Sequence, residues 1–141
     1  MNPTGLLLLV LLLSPLQCFQ IAESVPYQVH LPGEHYHSPP LSLFDENMNC
    51  LEKSWYFAFL LTLNGNSNIY IVILDKKDHT SRHAIVEFQG NYWDPSIDKY
   101  YYPKVINMTK EQYYQQYSES FIYLKKQPYY IIPFMNYSIL E

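Results

Sequence analysis

Residues 81–95, SRHAIVEFQGNYWDP, contain two short apolar segments separated by a turn. Residues 83–88 alternate between polar and apolar side chains, which is typical of a half-buried strand. Gln89-Gly90-Asn91 is a turn signal, and residues 92–94 begin a return strand. Pro95 then limits how far that strand can pair. The stretch therefore predicts an antiparallel β-hairpin.

The register of this hairpin decides how close His83 lies to Asp94. A two-residue loop at 89–90 places Asp94 opposite Ile85, and shifting the loop by one residue places it opposite Glu87. Both positions have the parity of His83, so either register puts His83 and Asp94 on one face of the hairpin. The first register brings the two side chains closer together. A His–Asp pair is therefore predicted on this face.

A helix is predicted upstream, in NCLEKSWYFAFLLTLNG at residues 49–65. Asn49 and Glu52 are spaced as an N-cap and N3 pair, which makes Cys50 the first helical residue. The free N–H groups and the positive dipole end of a helix start stabilise a thiolate. Cys50 is therefore a candidate nucleophile, and the alternative is a small buried hydrophobic residue.

The other segments complete one α+β domain. NIYIVIL at 68–74 predicts a strand, TKEQYYQQYSES from Thr109 predicts a short helix, and 121–126 and 129–134 predict later strands. We expect the Cys50 helix to pack on an antiparallel sheet that includes residues 68–74, 83–88 and 92–94. The side chains expected in the core are Trp55, Ala58, Val72, Val86 and Phe88.

The chain starts with an unbroken apolar run at residues 6–13, and no charged side chain precedes Glu23. About eight apolar residues are too few to span a bilayer but suit a signal peptide. The sequence therefore predicts a signal peptide at 1–22 and a secreted or periplasmic protein without stable membrane insertion. An extended arm at 23–48 and a folded domain at 49–141 follow.

Two alternatives to a cleaved signal peptide stay open. One is an uncleaved membrane anchor. The other is lipidation of Cys18, although Pro15-Leu16-Gln17 matches poorly the small residues wanted before a lipidated cysteine. Cleavage near Ala22 would remove Cys18 and leave Cys50 as the only thiol, so no internal disulfide is expected.

Composition narrows the classes of partner. The formal net charge is −4 and no basic run exists, so nucleic acid is not an expected partner. The predicted arm contains four side chains of the types that bind zinc or copper: His30, Glu34, His35 and His37. No cysteine or distant histidine clearly completes a metal site with them, so we interpret them as solvated loop residues. We expect no metal and no cofactor. Ten of the 15 tyrosines lie from Tyr100 onward. They can form a contact surface for sugars or a partner chain, or they can be half-buried side chains of strands and helices.

The order of these motifs resembles the transglutaminase-like superfamily. A cysteine-headed helix, then HAIVEF, then GNYWDP is similar to the bacterial transglutaminase-like cysteine peptidases, which have a papain-like Cys-His-Asp core. NCLEKSWYFAFLL also resembles the Cys-Leu helix of related proteins that process lasso-peptide precursors. The resemblance covers about residues 47–96. It implies a papain/transglutaminase-like core with Cys50 as nucleophile, His83 as base and Asp94 as the orienting acid.

Two functions are consistent with these observations. The first is an exported cysteine-dependent amide or peptide hydrolase or acyltransferase, acting on an extended peptide or amide in a shallow groove. Hydrolysis is favoured over cross-linking. The shallow groove is expected because a mature chain of 119 residues (141 minus 22) leaves little room for a large specificity domain. The second is an exported non-catalytic binding protein with the same fold and a tyrosine-rich contact surface.

Overall fold

The computed structural model describes residues 12–28, 47–96, 104–117 and 119–131. Within them the chain is α+β, as predicted, with three helices and a five-stranded antiparallel sheet. The elements in chain order are α1 (Pro15–Ser24), α2 (Cys50–Leu63), β1 (Tyr70–Lys76), β2 (Arg82–Phe88), β3 (Asn91–Asp94), β4 (Val105–Met108), α3 (Lys110–Tyr117) and β5 (Phe121–Pro128).

The sheet has the strand order β4-β3-β2-β1-β5. The three strands predicted at 68–74, 83–88 and 92–94 are consecutive neighbours in it, and each begins within two residues of its predicted start. A strand predicted at 129–134 is not formed over residues 129–131, where the N–H of Tyr129 donates to the carbonyl of Ile69 (2.8 Å). Residues 132–134 lie outside the described part.

A two-residue turn joins β2 to β3. Gln89 and Gly90 both have positive φ angles, 54° and 77°, as a type I′ hairpin turn requires. Phe88 consequently pairs with Asn91, and Val86 pairs with Trp93. The loop therefore lies at residues 89–90, the first of the two registers that the sequence left open.

Helix α2 begins and ends where the capping signals predict, at Cys50 and just before Asn64-Gly65, where Gly65 has a φ of 82°. It is buried over nearly its whole surface, because the sheet covers one side and α1 packs against another. The residues predicted in the core are all buried: Trp55, Ala58, Val72, Val86 and Phe88.

Both faces of the sheet are covered over β1, β2 and β3, because apolar side chains alternate between the two sides of these strands, whereas most side chains of β5 are exposed. On the α1 and α2 side, Ile71, Ile73, Ala84, Val86, Phe88 and Trp93 join one cluster. On the α3 side, Val72, Leu74, Ile85, Tyr92 and Val105 pack with Tyr113 and Tyr117. Several of the tyrosines in the second half of the chain therefore fill a core, the packing alternative considered above.

Helix α1 spans the boundary that the sequence places between residues 22 and 23. Ser14 caps it, with a reciprocal pair of hydrogen bonds to Gln17, and Pro15 occupies its first turn. Residues 29–46 of the predicted arm lie outside the described part. Before and after that gap, Tyr27 and Met48 form a parallel bridge.

Candidate active site

Cys50 is the first residue of α2, at the position predicted from the Asn49 and Glu52 spacing. The Asn49 side chain accepts a hydrogen bond from the N–H of Glu52 (2.9 Å), and the Glu52 carboxylate accepts one from the N–H of Asn49 (3.2 Å). Both capping residues are buried, which fixes the helix start. The thiol of Cys50 therefore lies at the positive end of the helix dipole, beside backbone N–H groups without intrahelical acceptors.

The hairpin brings His83 and Asp94 together. The pairing of Val86 with Trp93 continues to place Asp94 opposite Ile85, two residues from His83 on the same face. The His83 Nε2 atom lies 2.5 Å from the Asp94 Oδ2 atom. The Asp94 side chain is almost completely buried, at 2% exposure, and that of His83 is 18% exposed. The carboxylate is therefore shielded, whereas one part of the imidazole faces solvent.

The thiol of Cys50 lies near the His83 imidazole. It interacts with the imidazole closely enough to contribute, after Asp94, to raising the pKa of His83. Since Nε2 is occupied by Asp94, Nδ1 is the nitrogen available for proton exchange with sulfur. The structure thus brings all three predicted site residues into one chain of contacts, from Cys50 through His83 to Asp94.

This chain of contacts favours a charged imidazole. Burial lowers the pKa of His83, but the charge of Asp94, its hydrogen bond and the contact with Cys50 outweigh burial and hold that pKa well above 6.5. Burial likewise raises the pKa of Asp94, and the charge and hydrogen bond of His83, with hydrogen bonds from Ser96, bring it below its ordinary value. The pair is therefore an imidazolium–carboxylate pair near neutral pH.

Three contacts that the sequence motifs did not predict hold these side chains in place. Ser96 donates to Asp94 Oδ1 from both its hydroxyl (2.7 Å) and its backbone N–H (3.0 Å). Phe121 in β5 stacks on the His83 ring, with centroids 5.2 Å apart and planes 19° apart. The Asp-Pro-Ser sequence was a usable signal for Ser96, because Asp side chains bond backbone N–H groups two residues on. Nothing local pointed to Phe121, which is 38 residues from His83 in the chain.

The third contact fixes the distance between the helix and the strand. Ser54 lies one turn after Cys50, and its hydroxyl donates to the carbonyl of Ala84, the neighbour of His83 (3.1 Å). Ser54 and Ala84 are both completely buried. The bond therefore ties the first two turns of α2 to the start of β2.

The other cysteine has none of these features. Cys18 is completely buried in α1, and burial raises the pKa of its thiol to about 11, despite an opposing backbone hydrogen bond. Its sulfur accepts a long contact from the Asn64 amide (3.6 Å). The two thiols therefore differ in their access to a base, and Cys18 is an internal reference for Cys50.

Other candidate features do not form sites in the part of the chain that the structure describes. Among these residues, no group of three or more His, Cys, Asp or Glu side chains is placed to hold a metal ion. His30, Glu34, His35 and His37 fall outside them. No helix within the described ranges is both long enough and apolar enough to cross a membrane.

Comparison of the chain with protein-family models and with curated proteins finds no match. The geometry of Cys50, His83 and Asp94 is therefore the basis for a functional assignment.

Proposed function

We propose that the protein is an exported thiol enzyme with a papain/transglutaminase-like core, which cleaves or transfers amide or peptide acyl groups. The observation that carries this proposal is the contact chain Cys50–His83–Asp94, with Cys50 at a capped helix start. A nucleophile within reach of a base, and a base held by a third group, is the arrangement that nucleophilic catalysis requires.

The chemistry follows from the protonation states. In the reactive state the thiol proton already resides on His83, and the thiolate of Cys50 attacks the carbonyl carbon of an amide to form a carbon–sulfur bond. The imidazolium then gives its proton to the leaving nitrogen as the carbon–nitrogen bond breaks, leaving a thioester. His83, now neutral, next removes a proton from water, or from an acceptor amine, which attacks the thioester; the carbon–sulfur bond breaks and the thiolate leaves, so the thiolate–imidazolium pair is restored. Hydrolysis is the outcome that we favour.

The helix start and the carboxylate contribute through fixed charges. The N–H of Cys50, at the first helical position, can donate to the oxygen on which negative charge develops. Asp94 holds the imidazole in one orientation and stabilises the imidazolium, as the carboxylate does in other catalytic triads. Ser96 holds the carboxylate in turn. These groups are arranged before the substrate arrives, which limits reorganisation during the reaction.

Thiol labelling across pH tests the proposal without a known substrate. Iodoacetamide is expected to alkylate Cys50 in the native protein at pH 6, where an unperturbed thiol with a pKa of about 8.5 is almost fully protonated. Intact mass and peptide mapping separate Cys50 from Cys18. Cys18 is expected to stay unlabelled in the native state, because it is completely buried and its pKa is about 11, whereas Cys50 is 6% exposed.

Variants of His83 and His79 test whether the alkylation of Cys50 at pH 6 depends on the His83 imidazole. His83→Ala removes the cationic partner, so labelling at pH 6 is expected to fall at least about tenfold; Asp94→Ala is expected to weaken it less. His79→Ala is the matched control, because His79 also contacts an aspartate, Asp75 (2.7 Å), in an exposed turn. Labelling only above pH 8, or low-pH labelling that survives His83→Ala, would leave Cys50 as a packing residue. The non-catalytic binding protein would then be the better interpretation.

A further inference from the structure

Helix α1 is packed into the same core as the nucleophile helix. Three of its side chains are buried, those of Cys18, Phe19 and Ala22. The Phe19 ring packs against both Phe57 of α2, at a centroid distance of 5.6 Å, and Trp93 of β3, at 5.9 Å, and these two rings also contact each other. Since α2 carries Cys50 and β3 carries Asp94, α1 packs against both elements that form the candidate active site.

Polar contacts hold the first turn of α1. The backbone N–H of Leu13 donates to the side-chain oxygen of Asn64 (2.8 Å), and the amide nitrogen of Asn64 contacts the sulfur of Cys18 and donates to the carbonyl of Leu60 (2.8 Å). Asn64 caps the end of α2. The start of α1 is therefore fixed to the end of α2.

The last turn of α1 is held by a buried lysine. Lys53, three residues after Cys50, donates to the carbonyls of Glu23 (2.9 Å) and Val25 (2.6 Å). Its side chain is only slightly exposed, so these carbonyls replace the water that its ammonium would otherwise bind. The Glu23 carboxylate also pairs with Lys104 (2.7 Å). The end of α1 is therefore fixed to the start of α2.

The chain after α1 continues to the residues just before the nucleophile. Gln28 donates to the carbonyl of Met48 (3.0 Å), and Met48 donates to the carbonyl of Pro26 (3.0 Å). Met48 precedes Cys50 by two residues and is almost completely buried. The segment after α1 is therefore hydrogen-bonded to the residues that lead directly into the start of α2 at Cys50.

We propose that α1 is a permanent part of the folded domain, so that the mature protein keeps residues from Ser14 onward and any leader cleavage falls before that residue. Cleavage after Ala22 would expose Phe57 and Trp93 to water. It would also create a new ammonium at Glu23, beside the Lys53 ammonium that bonds the same residue. The inference is independent of catalysis, because packing carries it.

Counting thiols in protein produced from the full-length sequence tests the inference directly. The exported protein is unfolded in guanidinium and alkylated with iodoacetamide, and its intact mass is measured. Retention of α1 predicts two alkylated cysteines and a first residue at or before Ser14. One alkylated cysteine with a start near Glu23, or a diacylglycerol on Cys18, would overturn the inference. Denatured thiols react whether or not a triad exists, so this result does not depend on the proposed function.

A matched pair of variants on opposite sides of α1 provides the second measurement. In protein exported from the full-length sequence, Phe19→Ala is expected to lower the melting temperature by roughly 10 °C or more, because a fully buried aromatic side chain is lost. Leu16→Ala, on a side chain that is 45% exposed, should change it by no more than about 2 °C. Equal melting temperatures for both variants and the parent protein would refute the packing of α1 in the mature protein.

Discussion

Replacing Asp94 with asparagine isolates the contribution of the buried ion pair. Asparagine has nearly the shape of aspartate and keeps an oxygen that can accept from Ser96, so the packing around the site is preserved. The charge opposite His83 is lost. The expected result is a loss of folding free energy that depends on pH.

The geometry gives the size of the loss. Two unit charges about 4 Å apart interact by roughly 4 kcal/mol at an effective dielectric constant of about 20. Removing one partner of a buried pair costs about 3–5 kcal/mol in other proteins. Asp94 is buried and the His83 side chain is 18% exposed, so little screening is expected. We therefore expect Asp94→Asn to reduce the free energy of unfolding by about 3 kcal/mol at pH 5.5.

The direction of the pH dependence follows from the two pKa shifts. The pKa of His83 is raised, so its contribution is complete below 6.5 and is lost as pH rises through the raised pKa. The pKa of Asp94 is lowered, so its contribution is present above 3.8 and is lost as pH falls through the lowered pKa. The difference between parent and variant should be largest between pH 3.8 and 6.5, and should shrink towards alkaline pH.

Urea unfolding at half-unit intervals from pH 5 to pH 10 measures this difference. Asp75→Asn is the control, because it breaks the exposed His79–Asp75 contact, which should contribute no more than about 1 kcal/mol. Groups that titrate equally in parent and variant cancel in the comparison. A loss for Asp94→Asn that is constant across this range, or no larger than that of the control, would refute an imidazolium–carboxylate pair at this site.

Two further substitutions test the contacts that position the side chains of the candidate site. Ser96→Ala removes the hydroxyl donor to Asp94, so the pKa of Asp94 should rise and the free energy of unfolding at pH 6 should fall by about 1.5–3 kcal/mol in urea titrations; Ser96→Thr, which keeps the hydroxyl, should restore much of it. Ser54→Ala removes the bond from α2 to β2 and should reduce Cys50 alkylation at pH 6 severalfold, measured by intact mass. Thr62→Ala, which loses a bond within α2 itself, should leave that alkylation unchanged.

Local signals in the sequence determined several parts of the site. The start of α2 at Cys50 follows from Asn49 and Glu52, because a capping box involves only residues three apart. The shared face of His83 and Asp94 follows from strand parity, which holds in both possible registers. These features depend on neighbours within one turn or one hairpin, where the order of residues restricts the geometry.

Tertiary structure decided the rest. The hairpin loop could have formed at either of two positions, and the sheet contains the register with Asp94 opposite Ile85. The contacts of His83 with Cys50 and Phe121 join residues 33 and 38 positions away, so no spacing rule predicts them.

Helix α1 is a segment whose composition and whose packing describe different properties. Its sequence follows an apolar run and has the composition of a leader, so a local reading places the boundary after Ala22. In the folded chain Phe19 packs against both Phe57 and Trp93, and Lys53 donates hydrogen bonds to carbonyls at the end of the helix. Composition describes how a segment behaves alone, whereas burial depends on the surface against which it packs, and that surface forms only when distant residues come together.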